Sequence, residues 1–439
     1  MKNSLSHLFA ILDKAQTCRY TGKVTKVTGF MIESVGPQAM VGELCHIHIP
    51  GGNKPVPAEV VAIDGSKVRL ITYESAVGIR TGCLVMATGR SLGISMSDSL
   101  LGRVIDSMGN PLDGKGPIGF GVKQSVFGAP PDILNRQMVA SPVETGVRAI
   151  DSMLTVGLGQ RLGIFSPAGT GKTTLLGMIA RNTQADINVI ALVGERGREV
   201  GEFIRNDLGP DKLAKSVVIV STSDTSPVCR VRGAYTAVTV AEYFRDQGKN
   251  VMLFFDSLSR FARAQSEIGL SIGEVPATRG YPPSVFTEMP KLLERCANSS
   301  YGTLTGFFTV LVEGNDRDEP ISDSAEGFLD GHIILSRKLS EAGHYPAIDI
   351  LKSVSRSAVR VAPSPLLKAA EVIRHQMAVY RDAEDLINVG AYNRGTSKAI
   401  DQAMDIHGDI DSFLMQDLSE KAPFKTSMDR ALAIAGSVR

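Results

Sequence analysis

SPAGTGKTT, Ser166 to Thr174, follows the apolar run QRLGIFS and leads into TLLGMIAR. A buried-looking strand, a loop with two glycines and a helix, in that order, make a cradle for an anion. Gly169 and Gly171 let backbone N–H groups curl toward the positive end of the helix. Ser166 stands where such loops usually begin with Gly or Ala; the position demands a small residue, and Ser is the smallest step away. Lys172 then has the reach for the β and γ phosphates of a nucleotide, and the Thr173 hydroxyl suits Mg²⁺. Ala168, Gly169, Thr170, Gly171, Lys172, Thr173 and Thr174 are therefore the expected nucleotide-binding residues.

Working outward, apolar runs ending in polar residues alternate with helical segments: NVIALVGE, SVVIVSTSD, NVMLFFDS, TLTGFFTVLVE and GHIILSR. Such alternation predicts a mainly parallel sheet covered on both faces, with ligands bound at the carboxyl ends of the strands. Asp256 closes one of these strands, the placement expected of a carboxylate that orders Mg²⁺ and its waters. Glu195 closes another, with Arg196 beside it. A carboxylate there can orient a water for in-line attack while an arginine offsets the developing charge.

The chain has 439 residues, 43% apolar and 21% charged, enough for about three domains with substantial cores. Its 47 basic and 46 acidic residues leave a formal charge of +1, so no whole-protein field gathers nucleic acid or anionic lipid. No nucleic-acid partner is expected. The five cysteines include no CxxC pair, which reads as reduced intracellular thiols. With no long apolar span and no secretory signal, a cytoplasmic location follows. Ahead of the core, residues 19–90 are rich in short β runs and predict a β-barrel. Leu5, Leu8, Phe9 and Leu12 predict an amphipathic helix within 1–18, with Ser4 placed to cap it. Residues 91–362 hold the α/β core. From 363 to 439 the pattern is helical, with Ser364 placed to cap and Pro365 suited to the first turn.

At GERGREV the motifs join into a resemblance. This word, the phosphate loop, DSLSRF, GRVIDSMGNPLDGKG, TGVRAID, TVAEYFRDQGKNV and HYPAID stand in the order seen in the rotary ATP synthase superfamily. Within it the chain most resembles the protein-export ATPases of type III secretion, nearest their flagellar branch. The resemblance implies a RecA-like P-loop ATPase core with an N-terminal β-barrel and a C-terminal helical domain, assembled as a homohexamer that hydrolyses ATP with Mg²⁺. It implies Lys172, Glu195, Arg196 and Arg356 as catalytic residues, Arg356 in SVSR being offered to the adjacent subunit. Thr173 and Asp256 are implied as metal residues, and Arg260 and Tyr345 as nucleotide contacts, the tyrosine packing on adenine. Implied partners are a coiled-coil central stalk, a peripheral stator-like regulator, a membrane export gate, and export substrates with their chaperones. The chain would then work at the inner membrane as a peripheral protein. Ile268 to Pro276 is the expected pore-facing loop.

Three rival readings fit less well. An injectisome ATPase shares the whole pattern, and DLINVGAYNRG is nearer the flagellar wording. A rotary synthase catalytic subunit would carry an acidic rotor-pushing loop that residues 363–439 lack. An RNA translocase needs a basic, aromatic-lined barrel, and residues 19–87 offer only Tyr20, Phe30 and Tyr73 as aromatics.

Overall fold

The computed structural model describes residues 20–312 and 319–438, so the helix expected within 1–18 lies outside the described residues. Six antiparallel strands open the chain: β1 (Thr21–Thr28), β2 (Met31–Val35), β3 (Glu43–His48), β4 (Val56–Asp64), β5 (Lys67–Thr72) and β6 (Leu84–Ser91). They close into a barrel in the order β1-β2-β5-β4-β3-β6, which leaves no free edge. Period-2 alternation sends Val24, Ile32, Ile47, Val60, Leu70 and Val85 inward to a common core.

A two-stranded ribbon, β7 (Gly93–Met96) with β9 (Val122–Ser125), follows the barrel, and β8 (Arg103–Ile105) lies between them in sequence. Strand β8 belongs instead to the central sheet. That sheet also contains β10 (Arg161–Ser166), β11 (Ile187–Val193), β12 (Ser216–Ser221), β13 (Asn250–Asp256), β14 (Thr303–Leu311), β15 (Gly331–Ile334) and β16 (Val354–Ser355). Its order is β16-β15-β10-β14-β13-β11-β12-β8, parallel except for the β15–β16 pair. Every residue of β11 and β12 is buried, as a sheet covered on both faces requires. Alternate side chains divide between two cores. Val189, Ala191, Val193 and Phe255 face one, and Ile190, Leu192 and Phe254 face the other. Phe254 stacks on Phe307 at 5.9 Å and Phe255 lies 5.6 Å from Phe308, so β13 and β14 grip each other on both faces.

The helices that matter for the site are α1 (Arg148–Met153), α2 (Lys172–Asn182), α3 (Gly197–Glu202), α4 (Pro227–Asp246) and α5 (Leu258–Ile272). Three more close the chain: α6 (Ser364–Asn388), α7 (Lys398–Leu414) and α8 (Phe424–Ser437). Leu366, Ile373, Ile410 and Phe413 from this helical region share a core with Val147 and Ile150 at α1. At the other end of the core, Glu59 of the barrel accepts from Arg232 of α4 at 2.5 Å and from the Tyr73 hydroxyl at 2.6 Å.

Two local expectations shift. Ser364 does not cap α6: Leu367 N already bonds to Pro363 O at 3.1 Å, so Pro363 is the capping residue and Ser364 the first residue of the helix. The segment Ile268–Pro276 is not loop throughout. Leu258, Phe261, Ala262, Gln265 and Ile268 keep the buried face of α5 running to Ile272, and Gly273 at φ 97° then ends the helix.

Candidate active site

β10 runs straight into the phosphate loop. Ser166 is its last residue, fully buried and paired with Leu311 of β14, which explains why the position takes only a small side chain. Gly171 precedes α2 at φ 89°, a left-handed conformation that costs a glycine nothing and turns the loop onto the helix N-terminus. Thr170 ties the loop back on itself through its hydroxyl to Pro167 O at 3.0 Å. Lys172 and Thr173 therefore open α2 where the positive end of the helix macrodipole lies.

Strand order puts β14 and β13 between the loop strand and β11, so three carboxyl ends meet in one place. Lys172 Nζ lies 2.5 Å from Asp256 Oδ1 and 3.6 Å from Glu195 Oε1. Asp256 is free for this contact because Ser257, not Asp256, caps α5, accepting from Arg260 N at 3.3 Å. Gly194 makes room for the fourth member. Its φ is 72°, and a Cβ there would fall 2.8 Å from the Cβ of Arg260, so glycine lets Arg260 lie beside Glu195.

Glu195 and Asp256 crowd around Lys172, with Arg260 beside them, in a site largely withdrawn from water. Burial, and then the Asp256 carboxylate, push Glu195 up from 4.5 to about 7, opposed by Lys172; a hydrogen bond with the Glu199 carboxyl adds to the rise. Burial pulls the Lys172 ammonium down, but Asp256 and Glu195 overcome it and hold it above its ordinary value. The result is an acid that exchanges its proton near neutral pH next to a lysine that stays charged.

Beyond the loop a cleft of about 640 Å³ opens between Gly169, Thr170, Gly171 and Thr174 on one side and Tyr345, Pro346 and Ala347 on the other. Leu175 and Met178 line its floor, and Met415, Gln416 and Leu418 from the helical region form a further wall. That wall is bolted to the core. Arg148 donates to Phe413 O at 2.9 Å and Met415 O at 2.8 Å and pairs with Glu420, while Gln416 accepts from Arg148 N and donates to Gly146 O. Gln416 N donates to the backbone Tyr345 O at 2.9 Å, joining the wall to the segment that carries the ring. An apolar slot with one aromatic edge, beside an anion cradle, is shaped for a base next to its phosphates.

Lys172, Glu195, Asp256 and Arg260 thus converge, with Ala168, Gly169, Thr170, Gly171, Thr173 and Thr174 in the loop and first helical turn and Tyr345 across the cleft. Arg196 does not converge: its side chain is 76% exposed and pairs with Glu199 at 3.4 Å. Nor does Arg356. It follows β16, which pairs with Gly331 and His332 at the amino end of β15, whereas the phosphate loop leaves the carboxyl end of β10. Arg356 is exposed there, its N bonded to Asp330 O at 3.0 Å. The motif reading missed Met415, Gln416 and Leu418, none of which stands in a recognisable word.

Three family descriptions match in succession. The ATP synthase alpha/beta family beta-barrel domain covers residues 24–89, its nucleotide-binding domain residues 146–355, and the T3SS EscN ATPase C-terminal domain residues 363–431. The flagellum-specific ATP synthase of Treponema pallidum is 51% identical over 425 residues, 97% of this chain and 95% of that protein. The assembled ATPase EscN of the enteropathogenic E. coli type III secretion system superposes with a TM-score of 0.90 at 41% identity, covering 94% of this chain and all of that one. EscN in complex with its central stalk EscO gives 0.87 at 40% identity, with 94% and 100% covered.

Proposed function

The chain belongs to the ATP synthase alpha/beta family, and from that premise we propose that it is the homohexameric ATPase of a type III protein-export apparatus serving the flagellum. The convergence of Lys172, Glu195 and Asp256 on the N-terminus of α2 carries the reading. The matched C-terminal domain supports the export branch over a synthase catalytic subunit. The higher identity to a flagellar relative than to EscN supports flagellar over injectisome service.

In this reading ATP lies with its base against Tyr345 and its triphosphate in the loop. Lys172 moves from the carboxylates to the β and γ phosphates, and the loop N–H groups hold the remaining oxygens. The residues fit Mg²⁺: the Thr173 hydroxyl and Asp256 Oδ2, which takes no hydrogen bond from the described residues, are hard oxygen donors, and the ion would neutralise charge gathering on the phosphates. Glu195 orients the attacking water and takes its proton, a task suited to a carboxyl that ionises near pH 7. Arg356 lies too far round the sheet to serve its own loop, so it completes the site of the next subunit. Opening and closing of these shared sites would turn or loosen a coiled-coil central stalk. Export substrates would thereby be released from chaperones and fed to a membrane gate, under a stator-like regulator. The described residues include no helix long and apolar enough to cross a membrane, in keeping with a peripheral seat at the cytoplasmic face.

Subunit sharing is open to a complementation test. Lys172→Ala and Arg356→Ala should each lose about 10³-fold in hydrolysis. Mixed together, they should regain activity, because some interfaces then pair an intact loop with an intact arginine. No recovery in mixed rings would show that Arg356 does not act across the interface.

A further inference from the structure

Thr309 lies on β14, beside the end of β13, with its side chain fully buried. Its hydroxyl donates to Asp256 Oδ1 at 2.7 Å; the nearest alternative acceptor, Phe255 O, is 3.4 Å away. Two residues on, Leu311 N donates to Ser259 Oγ at 2.9 Å. Strand β14 therefore holds both sides of the turn that joins β13 to α5, once through the Asp256 carboxylate and once through the first turn of the helix.

Asp256 Oδ1 thus takes two donors, Lys172 Nζ at 2.5 Å and Thr309 Oγ1 at 2.7 Å. Two bonds on one oxygen fix the plane of the carboxylate and leave Oδ2 as the oxygen with capacity to spare. The donors differ in permanence. Lys172 sits on a flexible stem and is drawn to the phosphates when nucleotide arrives. Thr309 is β-branched, stiff about its first side-chain bond and embedded between Phe308 and Val310 in a central strand. When the lysine leaves, the threonine stays.

We infer that Thr309 is a positioning residue for ATP hydrolysis: its hydroxyl locks Asp256 so that Oδ2 faces the divalent cation and its waters in one orientation whether or not Lys172 is bound to Asp256. This rests on Asp256 being the metal anchor. Nothing in the motifs around Asp256 names Thr309, which comes from a strand 53 residues further on.

The test uses the full-length protein, Mg²⁺ and ADP. Binding of ADP is measured by calorimetry across a Mg²⁺ titration, alongside the Mg²⁺ dependence of hydrolysis. Thr309→Val keeps shape and removes the hydroxyl. It should raise the Mg²⁺ needed for half-maximal ADP binding, and for half-maximal hydrolysis, about tenfold, the scale of one hydrogen bond to a charged group. ADP affinity without Mg²⁺ should be unchanged. Thr309→Ser should return both Mg²⁺ midpoints to within about twofold of wild type. If Thr309→Val does not fold, Thr309→Ala carries the same expectation. Wild-type Mg²⁺ midpoints in either hydroxyl-free variant would overturn the inference. Asp256→Asn separates the two claims. If it abolishes the Mg²⁺-dependent gain in ADP affinity while Thr309→Val changes nothing, only the role of Thr309 fails. If Asp256→Asn keeps that gain, Asp256 is not the anchor, and the reading beneath the inference fails too.

Discussion

Two buried charge clusters, one at the barrel seam and one at the phosphate loop, obey different rules. At the barrel seam, one carboxylate meets one guanidinium: Glu59 takes Arg232 Nη2 at 2.5 Å and Nε at 2.8 Å, with the Tyr73 hydroxyl closing the set. Arg232 also lies over the Phe127 ring at 4.3 Å. Charge and hydrogen bonds balance, and the cluster does one thing, which is to hold the barrel on α4. At the loop, Glu195 and Asp256 crowd around Lys172 with Arg260 beside them, and burial, then the Asp256 carboxylate, push Glu195 up to about 7. Burying two carboxylates side by side costs stability, and the raised Glu195 sets this cluster apart as the one suited to the proposed chemistry.

The two clusters should part most visibly when a carboxylate is removed from each. Glu59→Gln should destabilise the protein by about 3–5 kcal/mol, the usual result of stranding a buried charge. Hydrolysis per folded molecule should be unchanged. Chemical denaturation with parallel rate measurements checks both, and a neutral effect on stability would mean the seam is not what joins barrel to core.

Glu195→Gln should do the reverse in the nucleotide-free protein. Glu195 titrates near 4.5 when unfolded and at about 7 in the fold. Between those values the native state keeps a proton that the unfolded chain has lost. Its contribution is therefore complete below pH 4.5, shrinks as the pH rises and is gone above 7. Gln, neutral throughout, should be more stable than wild type by on the order of 1–3 kcal/mol at pH 8 and nearly equal to it at pH 4.5. A difference independent of pH would remove burial of the Glu195 charge as its cause.

The smallest effect belongs to the cleft. Tyr345→Ser should raise the KM for ATP about tenfold with kcat within a factor of about three, since stacking on a base contributes about 1–3 kcal/mol of binding. A loss in kcat alone would place the ring elsewhere than against the base.

How much of this was legible in the sequence follows the range of each interaction. The phosphate loop, Glu195 and Asp256 were readable because a strand, the residues at its end and the next helix lie within one short word, although β11 ends at Val193 and Glu195 stands two residues past it rather than closing it. The barrel and the parallel sheet were readable from periodicity, although β8, only three residues long, carried too little pattern to be assigned to the central sheet. Arg148 stood in a noticed word, TGVRAID, but its partners at Phe413 and Met415 lie 265 and 267 residues away, and no local signal names them. Thr309 reads as one more strand residue among Phe307, Phe308 and Val310 until the neighbouring strand is placed beside it. Arg356 shows the converse. Its motif was legible, and only the topology shows that it sits at the far end of the sheet from its own loop.

In the mechanism proposed, the Lys172, Glu195 and Asp256 cluster cleaves ATP with Glu195 managing the water. Binding of a fluorescent ATP analogue and phosphate release, measured side by side on assembled wild-type and Glu195→Gln protein at pH 8, test it most directly. Affinities should lie within about threefold of each other, with phosphate release slowed at least about 100-fold in the variant. Equal rates of phosphate release by the two proteins would contradict it.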